Sequence, residues 1–100
     1  MPAAIPIDRE AIAGFCRRRQ IRKLALFGSV LREDFGSSSD VDVLVEFQPG
    51  AAVGLIRLAG MERELSEILG RKADIRTPGD LSRYFRDDVV RNAEVQYASE

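Results

Sequence analysis

The chain has 100 residues, 45% of them hydrophobic and 31% charged, with 15 Lys plus Arg against 16 Asp plus Glu for a net charge of -1. That is material for one domain with one core, and the balanced charge excludes the basic field that non-specific nucleic-acid binding needs. Histidine is absent and cysteine occurs once, at Cys16, which excludes catalysis through imidazole, histidine-bearing metal centres, internal disulfides and thiolate clusters.

Residues 8–19 carry the first helical pattern. Ile7 is placed as a staple, Asp8 as N-cap, and Ala11, Ile12, Phe15 and Cys16 recur at helical spacing. Arg17-Arg18-Arg19 falls in the last turn, where cations complement the helix dipole. Leu24-Ala25-Leu26-Phe27-Gly28 fits a short buried strand stopped by glycine. Residues 29–35 read as a helical turn or a short helix, closed by Gly36 and the run Ser37-Ser38-Ser39. Asp40-Val41-Asp42-Val43-Leu44-Val45-Glu46-Phe47 is the strongest strand pattern, rich in β-branched residues and followed by Pro49-Gly50. Residues 53–69 form an amphipathic helical pattern with Gly70 as its stop. Residues 72–77 read as a third strand ended by Pro78-Gly79. Asp80 is then expected to cap a final helix running through Leu81, Tyr84, Phe85, Val89, Val90, Ala93 and Tyr97. The alternation predicts an α/β (α+β) fold, a small β-sheet covered by helices, with residues 1–100 as one domain. The short serine loop allows an antiparallel or a mixed sheet.

No apolar run is long enough to cross a bilayer, and Met1-Pro2-Ala3-Ala4 has no signal-peptide layout. The lone thiol, set among apolar neighbours, points to a reducing, cytoplasmic setting. What remains for chemistry is oxygen, and oxygen ligands select hard cations such as Mg²⁺ or Mn²⁺.

Strands disfavour aspartate, yet Asp40 and Asp42 stand two apart at the head of the best strand. The pleat puts both on one face, roughly 7 Å apart along the backbone. Asp74 lies mid-way along the next strand, between Ala73 and Ile75. If the two strands are neighbours, about 5 Å apart, the three carboxylates share one place. Their mutual repulsion calls for a divalent cation, and two cations roughly 4 Å apart would suit in-line phosphoryl or nucleotidyl displacement. Phe27-Gly28-Ser29 is the second element. Gly28 lets a phosphate approach the backbone and Ser29 adds a hydroxyl donor. Arg32, one turn on, lies within reach of the same phosphates.

Gly28-Ser29, ten intervening residues and Asp40-Val41-Asp42 resemble the G-S-x(10)-D-x-D signature of the minimal nucleotidyltransferases of the DNA polymerase β superfamily. Lys72-Ala73-Asp74-Ile75 resembles the strand carrying that family's third carboxylate, and the similarity runs from about Ile21 to Tyr97. The resemblance implies that Asp40 and Asp42 ligate Mg²⁺, with one of them bridging two ions. It implies that Asp74 holds the catalytic metal and helps deprotonate an acceptor hydroxyl, and that Gly28 and Ser29 hold the β- and γ-phosphates of an NTP. Relatives of this size are often the antitoxin of a pair whose toxin is an all-helical HEPN ribonuclease, and some transfer AMP from ATP to a tyrosine of that partner. In one respect the sequence departs from the pattern G-S-x-A-R-G: Leu31 precedes Arg32, and Glu33-Asp34-Phe35 delay the glycine to Gly36.

Larger superfamily members append domains that grip acceptor and base. A chain this short is expected to receive its acceptor from a partner protein, with the last helix sharing a heteromeric or homodimeric interface. Three functions follow: a Mg²⁺-dependent transfer of a nucleoside monophosphate to a hydroxyl, a non-catalytic antitoxin that neutralises a HEPN-type partner by covering it, or a scaffold or regulatory subunit of a larger enzyme.

Overall fold

A computed structural model describes residues 5–32, 36, 39–51 and 53–99. Helix α1 spans Arg9–Arg18, and Asp8 caps it as its sequence position predicts: Asp8 Oδ1 accepts from the Ala11 N–H at 3.1 Å. Asp8→Ala is therefore expected to cost about 0.5–1 kcal/mol, read as a fall of a few degrees in Tm at neutral pH. Ile12, Phe15 and Cys16, at positions i, i+3 and i+4, form the buried stripe of α1. Burial pushes the Cys16 thiol up to about 12, so it is an inert core group at neutral pH.

Strand β1 covers Ile21–Phe27, β2 Val41–Phe47, β3 Ala73–Arg76 and β4 Glu94–Ala98. They form one mixed sheet in the order β3-β2-β1-β4. β1 is antiparallel to both β2 and β4, and β2 is parallel to β3. Helix α2, Leu55–Leu69, makes the crossover between the parallel strands and ends at Gly70 in the left-handed region, φ 70°. Both α1 and α2 lie on one face. Their buried residues, Ile12 and Phe15 with Met61 and Leu65, meet Leu24, Leu26, Val41, Val43, Val45 and Ile75 in one core. Arg18 and Arg19 pair with Glu64 across the two helices, Arg19 Nε to Oε1 at 3.0 Å. Helix α2 also supplies hydrogen-bond partners to β3: Ser66 Oγ accepts from Ala73 N–H at 2.8 Å and Glu62 Oε2 from Ile75 N–H at 2.7 Å. Polar groups that a four-residue edge strand would leave open are thereby paired.

The expected helix after Asp80 is corrected. Asp80 instead closes a short 3₁₀ turn, Pro78–Asp80, its carboxylate accepting from the N–H and hydroxyl of Thr77 at 3.1 and 3.0 Å. Those bonds lower the Asp80 carboxyl below its ordinary range. Helix α3 covers only Arg86–Asn92, and Tyr97 belongs to β4. The open side of β1 is thus filled by a fourth strand, with Tyr97 facing Leu24 and Val95 facing Ala25. Tyr84, 84% exposed, and Phe85, 50% exposed, precede α3 and project from the surface. The expected turn at residues 29–35 is a 3₁₀ turn at Gly28–Leu31, and Glu33, Asp34 and Phe35 lie outside the described residues. Among the described residues no helix is long and apolar enough to cross a membrane.

Candidate active site

Val41, Val43 and Val45 enter the helix-covered core, so the pleat sends Asp42 to the opposite face of the sheet. There it has two neighbours in register: Asp74 across the parallel pair and Phe27 across the antiparallel pair. Two carboxylates meet because β2 and β3 share a register. The glycine arrives because β1 ends beside Asp42. Gly28 has φ 76°, and a Cβ built there would overlap the Asp42 carboxylate. Glycine is needed both for the backbone angle and for the space. The 3₁₀ turn that follows places Ser29 next to Gly28 and ends at Arg32, whose N–H donates to Ser29 O at 2.9 Å.

Asp40 stands one residue before β2 and is half-exposed, with Oδ2 3.9 Å from Lys72 Nζ. Asp74 Oδ1 is held by Arg76 Nη1 at 2.9 Å. The strand pattern could have shown this second contact, because Arg76 is two residues after Asp74 and therefore on its face. Val41 N–H donates to Lys72 O at 2.8 Å, which sets the two strand starts side by side. Arg71 steadies the approach to Asp40, donating to the carbonyls of Gly36 and, at 3.0 Å, Ser39.

The electrostatics follow from this crowding. Burial pushes the Asp42 carboxyl above its ordinary value of 3.8, the Asp74 charge pushes it further, and Asp40 adds to the effect. Arg76 and Arg32 oppose the rise. The donor set is all oxygen and the carboxylates repel, so a hard divalent cation suits the site chemically. Among the described residues no three acidic or thiol side chains are gathered tightly enough to hold one. A cation placed there would have to displace Arg76 from Asp74 and Lys72 from Asp40, and these long side chains are 47% and 78% exposed.

The nucleotidyltransferase domain family matches residues 9–96. A candidate protein adenylyltransferase of Methanocaldococcus jannaschii is 32% identical over 73 residues, covering 73% of this chain and 76% of its own length. The solved structure of a candidate minimal nucleotidyltransferase superposes with a TM-score of 0.69 at 34% identity, covering 85% of each chain. A toxin–antitoxin crystal structure with AMP-PNP shares the fold at a TM-score of 0.72 and 18% identity, covering 94% of this chain and 76% of the other.

Proposed function

This chain belongs to the nucleotidyltransferase domain family, and from that premise we propose that it transfers AMP from ATP to a hydroxyl on a partner protein, the toxin of a toxin–antitoxin pair. The observation that carries the proposal is the register of Asp42 with Asp74 beside Gly28. Asp40, Asp42 and Asp74 are the residues that would hold Mg²⁺, or Mn²⁺, in one or two positions. When bound, the metal neutralises charge at the α-phosphate and on the departing pyrophosphate.

The protein's own residues do the rest. Gly28 allows phosphate oxygens to come close to the backbone, Ser29 donates its hydroxyl to one of them, and Arg32 offsets their charge. Asp74 takes the acceptor hydroxyl's proton on a carboxylate oxygen and passes it to solvent. The acceptor oxygen bonds to the α-phosphorus as the α–β phosphoanhydride bond breaks, and pyrophosphate leaves with that electron pair. The related protein adenylyltransferase supports ATP as the donor, and the toxin–antitoxin structures of this fold support a toxin as acceptor. We assign the partner to the small helical HEPN type and place the pair in the cytoplasm.

A second reading draws on the ion pairs that occupy Asp74 and Asp40. In it the acids serve stability and the chain neutralises its partner by binding alone. One experiment separates the two. The protein is incubated with Mg²⁺, the product of the adjacent gene if that is a small all-helical protein with an Arg-x(4–6)-His motif, and ATP labelled at either the α- or the γ-phosphorus. Label entering the partner from the α position alone is the expected result. No label from either, with toxicity still suppressed, establishes the binding subunit instead.

A further inference from the structure

Between the end of α1 and the start of α2 lies a small cavity of about 40 Å³, lined by Arg18, Arg19, Gln20, Val53, Arg57 and Met61. Gln20, at φ 58°, turns the chain from α1 into β1, and Ile21 then pairs with Phe47. Phe27 and Asp42 pair at the other end of the same ladder. The length of β1, about 20 Å, therefore separates the cavity from the carboxylates. Positive charge gathers on its walls. Arg18 and Arg19 share the carboxylate of Glu64, Arg18 through Nη2 and Arg19 through Nε. A guanidinium has five N–H donors, so that pairing exhausts neither. Arg57 comes from the first turn of α2, which carries no acid and whose N-cap, Gly54, supplies no side-chain hydrogen bond. The uncapped helix end adds to the positive field.

We propose that this cavity binds a free phosphate dianion, apart from the site of transfer. Charge, size and shape agree. Three arginines less the Glu64 carboxylate leave two positive charges, matching the roughly two negative charges of a phosphate. A water-sized position needs about 10–15 Å³ of such space, so the cavity has room for about three of them. That suits one tetrahedral oxyanion and is too little for a nucleoside. Guanidinia from two helices can meet a tetrahedral group on several sides, whereas a planar carboxylate fills a single fork. Met61 is buried and, with Val53, keeps water from one side, which strengthens each charged contact. Seated there, the anion ties α1 to α2, as Glu64 does beside it. None of this depends on nucleotidyl transfer.

The test is calorimetric titration of the whole chain, without metal and at fixed ionic strength, with sodium phosphate and with sodium acetate. Wild type is expected to take up one phosphate and to bind acetate about tenfold or more weakly. Arg57→Gln, at an exposed position, is expected to weaken phosphate about tenfold, and Ser29→Ala to leave it unchanged. Amide NMR spectra of the wild type give a readout that needs no variant: phosphate is expected to shift Gln20, Val53 and Arg57 and to leave Gly28 and Asp42 in place. Phosphate bound no better than acetate overturns the proposal. So does phosphate binding that Arg57→Gln keeps and Ser29→Ala loses, or amide shifts confined to Gly28 and Asp42, since either puts the anion at the transfer site.

Discussion

Asp42→Asn is expected to lower AMP transfer by about 10³-fold or more and, in the same molecule, to raise the melting temperature of the metal-free protein. The two effects have one origin. Asp42 is the carboxylate with both other acids around it, and burial together with the Asp74 and Asp40 charges disfavours its ionised form. On the proposed mechanism, the substitution would remove one of the metal-holding carboxylates and with it several kcal/mol of transition-state charge stabilisation. It also relieves repulsion worth about 0.5–1 kcal/mol in a partly solvated site, or a few degrees in Tm. The pH dependence has a definite sign. An acid whose folded value lies above its unfolded one holds its proton more tightly in the native state. Metal-free wild type therefore loses stability as pH rises from about the ordinary value of 3.8 through the raised one. The asparagine variant lacks that loss. Mg²⁺ or Mn²⁺ is expected to raise the melting temperature of the wild type by mass action and to do little for the variant. A variant that melts at or below wild type at pH 7 without metal would contradict the crowding.

Gly28→Ala is expected to cost about 2 kcal/mol, on the order of 10 °C in Tm, and to reduce transfer about 10²-fold. Part of the cost is backbone: alanine at φ 76° is strained by about 1 kcal/mol or more. The remainder comes from the new Cβ, which displaces the Asp42 carboxylate. Gly50→Ala is the matched control, with φ 84° and no atom within 4 Å of the added Cβ. It is expected to show the backbone part alone and normal transfer. Equal losses in the two variants would mean that Gly28 serves only its turn.

The sequence makes the two long helices and the first three strands legible because each declares itself locally. Asp8 caps, Gly70 stops, and Ile12, Phe15 and Cys16 repeat at helical spacing. The last segment does not. Leu81, Tyr84, Phe85, Val89 and Val90 fit a helical stripe, yet the chain breaks into a 3₁₀ turn, a seven-residue helix and β4. What decides the matter is the unpaired edge of β1, whose need for partners is a tertiary fact that no local window contains. Within the candidate site, the register of Asp42 with Asp74 follows from period-2 reasoning once the strands are neighbours. Spacing puts Arg76 on the face of Asp74, but the Lys72–Asp40 contact depends on a rotamer and the place of α3 on tertiary packing, and spacing gives neither.

The central place of β2 also orders events during folding. β1 and β2 are close in sequence and pair antiparallel, so the glycine turn and Asp42 can come together early through a local loop. Asp74 joins only after the whole of α2 has crossed over and docked β3 in parallel, a slower and more distant closure. Until β3 docks, the set of acids is incomplete, so the proposed transfer is expected only from chains in which the parallel pair has formed.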